Sequence, residues 1–384
     1  MLASDRNGRF KVRPPSPKVD LELLIDDPEL LGENPSLPEY DTEVETVQNI
    51  ARDSYSCKDG DVDAKRVQMD DGTQYDLRVA TPNELLSDTA ITSGTAWFTH
   101  PDLELYQKGM RGALKLGYCM LLVGPPVGYE VEDVSLFKAT YDFQRILDDQ
   151  LPKLEKINPD LIVVKGPSRG AAMGFGSSVP QYAGNRKAPY ADLTAPCTPR
   201  GFTKEEWPEA RKHLGTELLS THVTALDAAK KGDLIRYGKS LIPRSLSLLR
   251  NSARMLSTLS RGDAGVLADN ADPSTATHIH EFTGDMWALK RLYEKKFEDQ
   301  GRDNVAFTYS DGRHIEGIAR PSTRRDTYAR FERIRDIRGF DGSFDDVDFI
   351  GDVLPLRPFS DAEKASKNKS RIPRIYVPGI GKVA

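Results

Sequence analysis

The sequence predicts an α/β fold: a mostly parallel central sheet with helices on both faces, interrupted by an inserted helical cap. Three observations carry this. Tyr118–Val123 and Leu161–Val164 are continuous apolar runs, as expected of strands buried on both faces. Between them Leu136, Phe137, Thr140, Tyr141, Gln144, Leu147, Leu151 and Leu154 recur at the three- and four-residue spacing of an amphipathic helix. This strand–helix alternation stops over residues 203–267 and then resumes.

Residues 1–45 are rich in Pro and acidic groups without a sustained period and read as an extended arm. Val67 and Met69, then Asp70-Asp71-Gly72-Thr73, then Tyr75, Leu77 and Val79 alternate around an Asp-Gly turn and predict a hairpin. Thr89–Ser93 is a short third strand. Leu103–Leu116 has helical spacing and stops at Gly117. Asp133 or Ser135 caps the next helix. Leu161–Val164 runs into Gly166-Pro167-Ser168-Arg169-Gly170, and the small residues from Ala171 to Ser178 suit a helix packed close to the sheet. Ala188–Ala195 is a further strand. In 203–267 two helical stripes appear, Leu218–Leu226 and Leu246–Leu256. Then come a strand at Thr277–Thr283, a helix at Ala288–Phe297, a strand at Val305–Tyr309 and a helix at Arg320–Ile334. The expected division is an arm over 1–45, a catalytic domain over 46–202 and 268–335, a cap over 203–267 and an irregular extension over 336–384, whose end is basic.

Composition narrows the function. The net charge of −5 has no basic excess, so nucleic acid is not an expected partner. Cys57, Cys119 and Cys197 are odd in number and far apart, which argues against a disulfide framework or metal knuckle. No metal ion and no cofactor are expected. No apolar run reaches the ~18 residues of a membrane span, and the first residues lack a signal-peptide core. A cytoplasmic protein is the expectation, and a homo-oligomer remains open.

The chemistry concentrates at Ser168. A serine between two glycines, directly after a buried strand and before a small-residue helix, sits on a tight turn that exposes its hydroxyl. Gly166 and Gly170 remove side chains that would collide across the turn. The helix N-terminus behind it favours negative charge, so the Arg169 N–H is a candidate oxyanion donor. A serine hydroxyl needs a base. Of six histidines, His278 and His280 lie within a predicted strand, His213 and His222 in the helical insertion, and His100 follows Trp97 near the third strand. His314 lies in a loop directly after a late strand and is the candidate base. Asp285, at the end of the preceding strand, is the candidate acid, with Asp311 the runner-up and Glu281 inside the strand. Nucleophile, acid and base then follow in the order Ser168, Asp285, His314.

The region from about residue 62 to 335 resembles the α/β-hydrolase superfamily. The resemblance rests on Leu161–Gly170, on Phe282-Thr283-Gly284-Asp285, on Gly312-Arg313-His314 and on Gly117–Val123. It implies an esterase-like serine hydrolase with an α/β-hydrolase fold, a small-molecule ester or acyl substrate, and a cap after the sixth strand, where 203–267 falls. Many members carry His-Gly in the loop after the third strand. Here the stretch is Ser93-Gly94-Thr95-Ala96-Trp97, so Thr95 or Ala96 would give the second oxyanion N–H, with Trp97 nearby. Arg169 is bulkier than is usual after the nucleophile and is expected to shape or charge the pocket floor. The alternatives are an acyltransferase with the same triad and a non-catalytic binding protein on the same scaffold.

Overall fold

The computed structural model of the chain describes residues 48–51, 54–96, 101–102, 104–126, 135–203, 262–285, 292–312, 314–354, 374–377 and 381–383, with Leu37, Glu206, Pro208 and Leu259 besides. Nearly all of the expected arm over 1–45 and of the expected cap lies outside the described residues.

The described strands form one twelve-stranded mixed sheet. In chain order they are β1 (Gln48–Ala51), β2 (Tyr55–Cys57), β3 (Gly60–Gln68), β4 (Gln74–Pro82), β5 (Ala90–Gly94), β6 (Met120–Pro126), β7 (Leu161–Pro167), β8 (Lys187–Thr194), β9 (Ala276–Phe282), β10 (Val305–Ser310), β11 (Arg374–Val377) and β12 (Gly381–Val383). Their spatial order is β1-β3-β4-β6-β5-β7-β8-β9-β10-β11-β12, with β2 beside β3. The six strands from β6 to β10 run parallel, and antiparallel strands flank them on both sides.

The hairpin β3–β4 closes where the sequence indicates. Gly72 takes φ 85°, and the Thr73 amide donates to Asp71 Oδ1 at 2.8 Å. Helix α1 (Glu104–Lys115) leads to β6 and α2 (Leu136–Gln150) to β7. Ser135 caps α2, its hydroxyl accepting from the Lys138 amide at 3.1 Å. After β7 come α3 (Arg169–Gly176) and α4 (Pro180–Ala183), then α5 (Asp263–Asn270), α6 (Leu292–Asp299), α7 (His314–Ala319) and α8 (Pro321–Arg338).

Both sheet faces are covered, which is why β7 opens with the apolar run Leu161–Val164. Ile162 and Val164 face a core built with Phe143 and Leu147 of α2, Ala171 and Met173 of α3 and Leu267 of α5. Val163 faces the opposite core, with Met110 and Leu114 of α1 and Tyr328 and Phe331 of α8. Helix α5 straddles residue 267, where the insertion was expected to end, and Ala264, Leu267 and Ala268 join the main core.

The region after residue 335 departs from the expected irregular extension. α8 runs on to Arg338, Phe349–Val353 forms a π-helical turn, and β11 and β12 add antiparallel strands to the β10 edge. These strands are too short for their alternation to stand out in a tail rich in Gly, Pro and Lys.

The strand order also fixes where a site can form. From β5 the chain crosses to β6 on one side and then to β7 on the other. The loops leaving β5 and β7 therefore diverge, opening a crevice at the carboxyl ends of the strands.

Candidate active site

Ser168 stands on that crevice with backbone angles φ 55°, ψ −118°, a region costly for any residue with a Cβ. Its surroundings force the turn. The Ser168 amide donates to the Thr194 carbonyl at 2.9 Å, and the Ser168 carbonyl accepts from Ala171 and Ala172 at 3.0 and 3.1 Å, starting α3. A Cβ on Gly166 would lie 2.2 Å from the Gly170 carbonyl oxygen, and one on Gly170 would lie 2.1 Å from that of Gly94. Both glycines are required by backbone contacts that cannot move aside.

His314 Nε2 lies 2.8 Å from Ser168 Oγ, and His314 Nδ1 lies 2.6 Å from Asp285 Oδ2. A carboxylate can only accept, so the proton sits on Nδ1 and Nε2 accepts from the serine hydroxyl. All three side chains are buried. The residues that carry them are tied together through the backbone. Thr283 N–H donates to Ser310 O and Gly284 N–H to Gly312 O, both at 2.9 Å, so the loops after β9 and β10 are fixed side by side. His314 is the first residue of α7, where the sequence predicts a loop. Gly317 lets this helix lie flat against the ring of Phe282, where a Cβ would be 2.5 Å away.

The other candidates are placed elsewhere. Asp311 is exposed and accepts from Thr283 Oγ1 at 3.1 Å. His278 and His280 are buried under the sheet: His278 Nε2 and His280 Nδ1 lie 2.8 and 2.6 Å from Thr308 Oγ1, and His280 Nε2 lies 2.9 Å from Ser310 Oγ. Burial pushes the His280 pKa down to about 3 and lowers that of His278. His100, His213, His222 and Trp97 lie outside the described residues.

The loop after β5 corrects one expectation. The Thr95 amide donates to Val123 O at 3.0 Å, because β5–β6 pairing extends one residue past the strand, and is thereby committed to the sheet. The Ala96 amide donates to the Tyr106 hydroxyl at 2.8 Å. Tyr106, on α1, carries no local signal in the sequence that would mark it out. The Arg169 side chain is fully buried and does not form an exposed pocket floor. Its Nη2 donates to Gly124 O at 3.0 Å, and desolvation lowers its pKa to about 10. Among the described residues no three His, Cys, Asp or Glu side chains group to hold a metal ion, and no helix is long and apolar enough to cross a membrane.

The chain matches no family model, and no curated protein matches it in sequence. Among solved structures it is similar to an esterase from Pyrococcus furiosus, with 14% identity over 71% of this chain and 91% of that one and a TM-score of 0.43. It is also similar to an acetyl xylan esterase from Paenibacillus (14% identity, 76% and 89% covered, TM-score 0.43). A third is the thioesterase domain from the curacin biosynthetic pathway (12% identity, 71% and 98% covered, TM-score 0.42).

Proposed function

The strand order and the turn after β7 are those of the α/β-hydrolase fold, and on that scaffold we propose that the chain is a serine hydrolase that cleaves a carboxylic ester through an acyl-enzyme on Ser168. One observation supports this above all: Ser168 Oγ, His314 and Asp285 form a hydrogen-bonded relay of 2.8 and 2.6 Å at the mouth of the crevice.

In this reading Ser168 Oγ attacks the acyl carbon while its proton passes to His314 Nε2. Asp285 holds the imidazole tautomer and stabilises the imidazolium. The oxyanion is met by the Arg169 N–H, which the α3 N-terminus presents, and by the Ala96 N–H once the Tyr106 hydroxyl yields it. Collapse expels the alcohol, which takes the proton from Nε2. Water then attacks the acyl-enzyme, gives its proton to Nε2, and the acid leaves as Ser168 recovers its hydrogen.

The test is a fluorophosphonate probe followed by peptide mapping, with p-nitrophenyl esters of increasing acyl length as substrates. The expected result is one label, on Ser168, and none on Ser168→Ala. Equal labelling of the variant would overturn the assignment. A competing alcohol added to the assay separates hydrolysis from acyl transfer by its products.

A further inference from the structure

A second recess, open to solvent, lies beside the nucleophile turn on the α1–α8 side of the sheet. Its wall contains Gly166 and Pro167 of β7, Thr194 of β8, and Lys165 and Arg324. Neither Ser168 nor His314 nor Asp285 lines it.

The two cations have an unusual setting. Lys165 lies in a strand, and its Nζ sits 5.1 Å from the centre of the Tyr328 ring. Among the described residues neither Lys165 nor Arg324 has a hydrogen-bonded or ion-paired carboxylate. The carboxylate that acts on Lys165 is Asp192, and its oxygens are already held. Arg330 Nε donates to Oδ2 at 2.5 Å and Arg330 Nη2 to Oδ1 at 3.2 Å, while Thr327 donates to Oδ1 at 3.2 Å. Lys165 and Arg324 also repel each other. Burial, with that repulsion, lowers the Lys165 pKa to about 8. Two positive groups lining one recess, with no ion-paired carboxylate among the described residues, form a site that an anion would complete.

We propose that this recess binds a small oxyanion group, a carboxylate or a phosphate, between the Lys165 ammonium and the Arg324 guanidinium, with the Thr194 hydroxyl on the same wall. The ligand would rest against Gly166-Pro167 and against Thr194, whose carbonyl accepts the Ser168 amide. The site does not depend on Ser168 being a nucleophile.

The experiment titrates inorganic phosphate into the full chain by calorimetry, with chloride holding ionic strength constant. Saturable binding is expected, weakened roughly ten- to hundredfold in Lys165→Met and in Arg324→Gln, as loss of a charge-assisted hydrogen bond implies. A measurement on the unaltered protein guards against misfolded variants. Acetic anhydride labelling read by mass spectrometry should show phosphate slowing acetylation of Lys165 and of no surface lysine. Absence of saturable binding, or acetylation of Lys165 unchanged by phosphate, would overturn the site. The source of the anion is separated by binding p-nitrophenyl hemisuccinate to Ser168→Ala. Competition with phosphate makes the acid end of a substrate the occupant, and independent binding makes it a free anion.

Discussion

Gly170 lies so close to Gly94 that a Cβ on the first would sit 2.1 Å from the carbonyl oxygen of the second. The helix behind Ser168 and the loop that faces it are thus in backbone contact. Gly170→Ala must push β5 and α3 apart. The expected outcome is loss of fluorophosphonate labelling together with a lower Tm, from overpacking of about 1–3 kcal/mol or more. Labelling at the wild-type rate in a folded variant would show that the contact does not set the geometry.

The relay makes a second prediction. His314→Ala and Asp285→Asn should each reduce kcat by roughly 10³-fold or more, with circular dichroism little changed. Asp311→Asn should stay near wild type, since that carboxylate bonds Thr283 at the surface. An inactive Asp311→Asn beside an active Asp285→Asn would reverse the assignment. Activity should fall on acidification as His314 takes up a proton, because only the neutral ring accepts from Ser168.

Acid should also unfold the protein through His280. Its folded pKa, about 3, lies below the ordinary histidine value of about 6.5, so the unfolded chain binds the extra proton between those two values. Stability is fully present above about pH 6.5 and is lost as pH falls towards 3. At pH 5 this one group costs about 2 kcal/mol relative to neutral pH. His280→Gln keeps a polar side chain without the titration, so its Tm should fall less between pH 7 and 5. Parallel curves for the two proteins would refute the account.

The Asp192–Arg330 pair is buried and bidentate. Removing one partner leaves an uncompensated charge. Arg330→Met should cost about 3–5 kcal/mol in urea unfolding. Adding Asp192→Asn should recover a large part of that loss. An additive double variant would mean that the two groups do not depend on each other.

Much of this was legible in the sequence because local and global signals agree there. Four branched apolar residues, two glycines around a serine and a run of small residues define β7, the turn and α3 without help from the rest of the chain. Asp285 and His314 were readable because each directly follows a strand. The Thr95 amide was not, since whether a residue at a strand end still pairs depends on its neighbour, here Val123. Tyr106 was hidden because its hydroxyl acts on a loop ten residues away, and a tyrosine on a helix is ordinary. Lys165, between the apolar run and the glycine–serine turn, carries no signal of its own in the sequence. Its role depends on which face of β7 it takes and on Asp192 being occupied by Arg330, neither of which a single segment reveals.

β11 has a consequence in time as well as in space. Between them, β10 and β11 leave a long stretch of chain, so during synthesis β10 emerges well before the strand that covers it. For an interval on the order of seconds, at roughly 5–20 residues per second, its outer row of amides and carbonyls has no partner. A nascent chain in that state is open to pairing with another copy of itself. Shortening the chain before Arg374 would make that interval permanent, and such a variant should clump on expression even though Ser168, Asp285 and His314 are all intact.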